Sequence, residues 1–370
     1  MIIEKYYTVA DTAVCIAADE KIMYGDDGVL APFALASVSG GVVRYEYEIS
    51  DSLPDPCGTP TVSRPDIAEF GEGENTVRYI GAVANSLDGA YICTRKEGST
   101  VRVTVKSSFC SKLSPSLILN SVSAERLAVN AGGIIFHSAY IGFRNEGILF
   151  TAPSGTGKST QAELWRKWRE ADVINGDRSM IKSMGGISRV CSLPFSGSSG
   201  ISKNVNLPLR AIVYLEQAPT VTLERIRGAQ AFCRIWEGCC VNTWNRAELE
   251  KAYSTAEAIA AQTPVYRLRC TAGRKGGRCA LLRVVRSTLT RFAGIREDAA
   301  QSERFYEMPH AALEKGKKRY ARIGTVFRNV FSFKREKTRP ADRGEFRDHI
   351  ALQFQLPDVL RPSPGRGFVG

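Results

Sequence analysis

A chain of 370 residues with 44% apolar content can bury a sizeable core and suits two domains better than one. It holds no apolar run near the ~20 residues a bilayer-spanning helix needs, and charge interrupts the N-terminal Met1-Ile2-Ile3-Glu4-Lys5, unlike a secretory signal. A cytoplasmic protein without a membrane partner is therefore the expectation. The net charge of +12 suggests nucleic acid at first sight, but 22 of the 50 Lys and Arg and only 10 of the 38 Asp and Glu lie from Arg274 onward, so the body before it carries 28 of each and is neutral. The ten cysteines are scattered and form no Cys-x-x-Cys pair, which signals neither a zinc nor a redox motif.

Taken in order, residues 1–122 read as a β-rich module. Alternating or β-branched runs at 41–49, 76–80, 90–94 and 100–105 predict strands, and Asp26-Asp27-Gly28, residues 51–58, 71–73 and Asp88-Gly89 predict turns. An antiparallel sheet without evident chemistry is expected here. Residues 117–130 have helical spacing, 132–141 read as a strand, and 144–147 as a hairpin turn. A strand over 147–150 then enters a glycine-bearing loop, and a helix over 161–168 leaves it. Short strands follow at 171–178 and 184–191, leading to Leu193–Gly197 and the small-residue loop 196–200. The most apolar strand is 210–216. Next come Thr222-Leu223, helices over 228–240 and 247–263, and a last strand at 265–270. On this reading Cys239-Cys240 are packing residues of an amphipathic helix. Strands alternating with helices over 123–271 predict an α/β core. From about residue 272 the chain turns basic and Gly- and Pro-rich. Residues 283–292 and 319–333 have the spacing of basic helices, and the rest of this tail is expected to be poorly ordered.

The stretch from Phe150 to Thr160 carries the chemistry. A strand, the loop Ala152-Pro153-Ser154-Gly155-Thr156-Gly157, then Lys158-Ser159-Thr160 opening a helix is the arrangement of a phosphate-binding P-loop. Gly155 and Gly157 allow positive φ, so that N–H groups, including those of Ser154, Thr156 and Thr160, can face an anion. Lys158 is placed to reach the β/γ-phosphates and Ser159 to hold Mg²⁺, with the helix dipole in support. Ala152 stands at the pattern's first glycine and suits it only with negative φ.

Phosphoryl transfer also needs a metal-holding carboxylate and a group to handle the acceptor proton. Asp177, after the apolar Val173-Ile174, fits the first need. Glu216, after another apolar strand, is the rival. His137, on an apolar strand just upstream of the loop, fits the second: a neutral imidazole can orient or deprotonate a hydroxyl near pH 7. Arg178 either touches phosphate oxygens or pairs with Asp172. The loop 196–200, followed by Lys203, is small enough to approach a nucleotide.

His137-Ser138, the loop 152–160, Asn175-Gly176-Asp177-Arg178 and Pro194-Phe195-Ser196-Gly197 stand in an order that resembles HPr kinase-like proteins, which share a fold with phosphoenolpyruvate carboxykinase. Pro208-Leu209, Trp244 and residues 264–270 are similar to an uncharacterised branch often associated with modified-peptide biosynthesis. The resemblance spans 6–270. It implies a P-loop phosphoenolpyruvate carboxykinase-like α/β core behind the β-rich module, with ATP and Mg²⁺ as cofactors. In HPr kinase a His precedes the P-loop and paired aspartates follow it, one holding Mg²⁺ and one acting as base. Here only Asp177 is acidic and Gly176 takes its partner's place, so the base is either His137 or Asp177. The HPr-specific C-terminal signature is absent, and HPr itself is not the expected substrate. The implied activity is ATP-dependent phosphorylation of a Ser or Thr hydroxyl on a peptide or small protein. The alternative is a nucleotide-binding regulator or scaffold. A nucleic-acid partner engaged through the basic tail is less favoured, and a homo-oligomer is compatible with all of these.

Overall fold

The computed structural model describes residues 1–71, 76–83 and 86–270, all within one compact unit, Met1–Arg296. The architecture is mixed α/β with strands in the majority and two open sheets. Among the described residues no helix is long and apolar enough to cross a membrane. The predicted tail from 272 onward and most of the 71–73 turn lie outside the described residues.

The N-terminal sheet contains β1 (Ile2–Val9), β2 (Thr12–Asp19), β3 (Val42–Ser50), β4 (Pro60–Ser63), β5 (Ile67–Phe70), β6 (Val77–Ala82), β7 (Gly89–Glu97) and β8 (Thr100–Lys106). Their spatial order is β1-β2-β3-β8-β7-β6-β5-β4. The expected antiparallel sheet is corrected here to a mixed one, because β3 pairs in parallel with both β2 and β8. Parallel neighbours need a long return, and the 20–41 segment with its short 3₁₀ helix Gly28–Phe33 supplies one between β2 and β3.

The single helix expected over 117–130 is two, α1 (Pro115–Ser121) and α2 (Ala124–Asn130). Ser114 caps α1 by accepting the Leu117 N–H, and Pro115 sits in its first turn. The break falls at Ser123, whose φ of 50° is left-handed and unusual for a residue with a side chain. The Arg78 guanidinium donates to Ser123 Oγ at 2.7 Å and so anchors the strained residue.

The second sheet contains β9 (Gly133–His137), β10 (Ala139–Phe143), β11 (Glu146–Thr151), β12 (Asp172–Asn175), β13 (Arg178–Met184), β14 (Ile187–Ser192), β15 (Asn206–Gln217), β16 (Thr222–Ile226), β17 (Cys239–Cys240) and β18 (Val265–Cys270). Its order is β12-β10-β11-β15-β14-β13-β9-β17, with β18 beside β15 and β16 beyond it. The long β15 joins two lobes. Residues from Asn206 to Pro208 pair with β14, while Leu209 onward runs parallel to β11 and then β18. The hairpin between β10 and β11 turns on Arg144 and Asn145, both at positive φ (53° and 61°), with Phe143 opposite Glu146. That is the backbone of a two-residue primed turn, matched to strand twist.

Strand alternation assigns each lobe two faces. Ile134, Phe136, Ile181 and Val190 of one lobe and Tyr140, Leu149, Ile174 and Ile212 of the other share a core with α4 (Gly228–Trp236) and α5 (Arg246–Gln262). On the opposite face of the second lobe, Ala139, Ile141, Phe150 and Val173 pack on α3 (Lys158–Arg169). The opposite face of the first lobe, Ile135, Met180 and Cys191, joins the core of the N-terminal sheet, α1 and α2. The two parts of the chain thus share one hydrophobic cluster.

Candidate functional site

Three strand ends meet where the chain passes between the lobes. β9 ends at His137 and crosses through Ser138 into β10. β12 ends at Asn175 and crosses through Gly176-Asp177 into β13. β11 ends at Thr151, beside the start of β10. Backbone bonds lock the crossings together: Ser138 N–H donates to Asp177 O at 3.0 Å, and His137 N–H to Gly238 O at 2.8 Å. Thr151 Oγ1 donates to His137 O at 3.0 Å, and His137 lies opposite Arg178 in the β9–β13 register. His137 is therefore a strand end, and the single strand expected over 132–141 is two.

From this junction the chain enters the 152–157 loop. Positive φ within it is confined to Gly155 (79°) and Gly157 (115°), so Ala152 meets no backbone strain. α3 follows with buried residues Lys158, Gln161, Ala162 and Trp165, the spacing of one helical face. Trp165 is fully buried, its ring edge-on to Phe143 at 5.5 Å. Gly157 caps α3 without a side chain, and the first-turn N–H groups have no intrahelical acceptor. Ser154, Gly155, Ser159 and Thr160 are exposed, and Thr156 and Gly157 are half-buried.

Lys158 is buried and folds back along the loop. Its ammonium donates to Ala152 O at 2.9 Å and Pro153 O at 3.4 Å. Burial lowers its pKa, and Asp177 opposes that shift. The Asp177 carboxyl is pushed up by burial, against the pull of Arg178 and Lys158. One carboxylate oxygen lies 3.8 Å from His137 Nε2, the other 3.4 Å from Arg178 Nε. Burial, with Lys158 and Arg178 adding their charge, brings His137 down to about 3. The imidazole is thus neutral throughout the physiological range. The structure brings Lys158, Asp177, His137 and Arg178 into one electrostatic cluster.

Of the two expectations for Arg178, the pairing with Asp172 is corrected. Arg178 lies over the Phe195 ring at 5.3 Å and beside Asp177, while Asp172 pairs with Lys203. Glu216 pairs across the strands with Arg267 and Arg269 on β18 and takes no part in the cluster. Cys239-Cys240 lie not on a helix but on β17, opposite Phe136 and Ile135 of β9. After α4 ends at Trp236, the backbone at Gly238 comes against the Phe136 ring, where a Cβ would meet Cε2 at 2.5 Å. Burial raises both thiols, which makes them poor nucleophiles.

The 196–200 loop closes over the 176–177 turn. A Cβ at Gly197 (φ 52°) would meet the Asp177 Cβ at 2.8 Å, and a Cβ at Gly176 would collide with the Ser199 side chain. Ser199 is itself fixed, donating to Ser196 O at 2.6 Å and accepting from Ile201 N–H. Gly176 is therefore a steric requirement, and there is no room for a second carboxylate there. Gly176→Asp is expected to cost about 1–3 kcal/mol as overpacking, read as a lower urea midpoint at unchanged slope. A variant as stable as the parent would mean that the loop yields.

Sequence reasoning cited Asn175 only as part of a motif and gave Phe195 no role. An Asn two residues before an Asp invites an Asx turn, which is the signal that was available for Asn175. No protein-family profile matches the sequence, and no curated protein does. Among solved structures the chain is similar to the HPr(Ser) kinase/phosphatase from Coxiella burnetii, at 11% identity and a TM-score of 0.24, over 42% of this chain and 95% of that one. A TM-score of that size carries no functional argument, so what the site does has to be read from its own residues.

Proposed function

We propose that this chain is an ATP- and Mg²⁺-dependent P-loop kinase-like protein, built on a phosphoenolpyruvate carboxykinase-like core, that phosphorylates a Ser or Thr hydroxyl of a peptide or small protein. The observation that carries the reading is the placement of a buried ammonium, Lys158, at a glycine loop whose far side holds a desolvated carboxylate and a neutral imidazole. The donor set fits a magnesium nucleotide. Loop N–H groups of residues 154–160 and Lys158 suit phosphate oxygens, while Ser159 and Asp177 suit a hard cation that takes one or two carboxylates beside phosphates. When bound, Mg²⁺ would neutralise charge gathering on the transferred phosphoryl group.

The remaining work falls to this chain's own groups. A His137 as weakly basic as its surroundings make it is better at accepting a hydrogen bond, and so orienting a hydroxyl, than at removing its proton. Asp177, with its raised pKa, is the stronger acceptor of the pair.

The test is MgATP turnover by the wild type and Asp177→Asn against Ser- and Thr-containing peptides. Turnover is expected to fall at least about 100-fold in the variant, with metal-free nucleotide affinity nearly unchanged. Equal turnover in both proteins would remove the kinase reading. The second reading, a nucleotide-binding regulator without transfer, is favoured by the steric exclusion of a second carboxylate at Gly176. It predicts MgATP binding with no acceptor phosphorylated.

A further inference from the structure

We infer that Asn175 is the positioning residue of this site, holding Asp177 and Arg178 in place and tying them to the 192–202 segment. The inference rests on the phosphoryl-transfer reading for its kinetic consequences, but not for its structural one. Asn175 is completely buried at the end of β12. Its Oδ1 accepts the N–H of Asp177 at 2.9 Å and that of Arg178 at 3.0 Å, so one side-chain oxygen shapes the turn that presents both charged groups. Its Nδ2 donates to Leu193 O at 2.8 Å and lies 3.3 Å from Ser202 Oγ and 3.4 Å from Ser192 Oγ. Ser202 Oγ donates to the same Leu193 carbonyl at 2.6 Å. The backbone repeats the tie, with Asn175 bridged to Ser202 and Gly176 N–H donating to Ile201 O at 3.3 Å.

On the other side of the turn, Gly197 backs directly onto the Asp177 side chain. The Asp177 backbone is thus held from within by an amide, and its side chain is backed from without by a glycine of the segment that the same amide anchors. Residues 192–202 and the 175–178 turn thus share contacts on both sides of Asp177. An Asn with this many partners could serve stability alone. What separates the two roles is whether Asp177 and Arg178 move when it is removed.

The experiment uses the full chain and the variants Asn175→Ala and Asn175→Ser. The Ser hydroxyl can still accept from the turn N–H groups but cannot reach Leu193. Two readouts are taken: metal-free ATP binding against MgATP-dependent phosphoryl transfer at saturation, and the places of Asp177 and Arg178 in crystal structures of the variants. Positioning predicts metal-free ATP affinity within about threefold of the wild type for Asn175→Ala, because the loop and Lys158 are untouched. It predicts transfer about 10- to 100-fold slower, the scale of a misplaced catalytic group, with partial recovery in Asn175→Ser. In Asn175→Ala the Asp177 carboxylate should leave its place 3.8 Å from His137 Nε2 and 3.4 Å from Arg178 Nε. Lower stability with unchanged transfer and with Asp177 and Arg178 in place would overturn the proposal. Should Asn175→Ala not fold, the same comparison for Asn175→Ser decides. If the wild type transfers no phosphate while Asp177 and Arg178 still move in the variants, the kinase reading fails and the positioning role stands.

Discussion

Lys158→Ala is expected to weaken MgATP binding by about 30- to 100-fold, or about 2–3 kcal/mol, the scale of lost hydrogen bonds to a charged group. The same change should leave the thermal midpoint unchanged or slightly raised. The reason lies in what the ammonium does without ligand. It is buried, its pKa is depressed by that burial, and its partners are the carbonyls of Ala152 and Pro153. Removing a desolvated charge from such a place relieves about as much as it costs. A residue that only closed the loop would show the opposite pattern, with lower stability and intact binding. Calorimetric titration with MgATP and a thermal melt on the same samples separate the two.

The largest stability effect is expected at Arg78→Ala, about 3–5 kcal/mol, the usual cost of breaking a buried ion pair by removing one partner. Arg78 is 3% exposed and lies within 2.5 Å of Glu69 and 3.0 Å of Glu125. Burial opposes its charge, but Glu125 and Glu69 overcome that and raise its pKa. Glu69 also accepts from Trp244 Nε1 at 2.9 Å and lies 3.5 Å from Arg126, which in turn donates to Glu248 on α5 at 2.7 Å. The network therefore joins β5 and β6 to α2 and α5, across the two parts of the fold, and holds Ser123 in its strained conformation. Urea unfolding measures the loss. Adding Glu69→Gln to Arg78→Ala should recover part of it, because the carboxylate that Arg78 balanced is then neutral. A double variant no more stable than the single would show that packing, not charge, carries the effect.

Much of the loop and its helix was legible because its determinants are local. Gly155 and Gly157 permit their φ values by having no Cβ, and the 158–165 pattern marks one helical face. The hairpin at Arg144-Asn145 and the strands β7, β8, β15 and β18 were legible for the same reason. The strands β1, β2, β4 and β5 went unread. β1 and β5 mix charge with apolar residues, β2 is an apolar run without alternation and β4 is four residues long, so only neighbours across the sheet decide their state. The break at Ser123 depends on Arg78, which is distant in sequence. The two-residue β17 exists because β9 offers it an edge. That His137 and Asp177 stand side by side could be anticipated from motif order, but not that both lie at crossings between lobes.

By itself the sequence determined a glycine loop with a lysine at the head of an amphipathic helix, because backbone conformation and helical periodicity are properties of neighbouring residues. It also named the imidazole and the carboxylate. Only the tertiary structure decided which groups stand together. It set Arg178 beside Asp177 rather than Asp172, left Glu216 to the arginines of β18, and filled the space beside Gly176 with Ser199. The physical reason is the same in each case: pairing, burial and collision depend on distances between residues far apart in the chain, which strand register and lobe packing set.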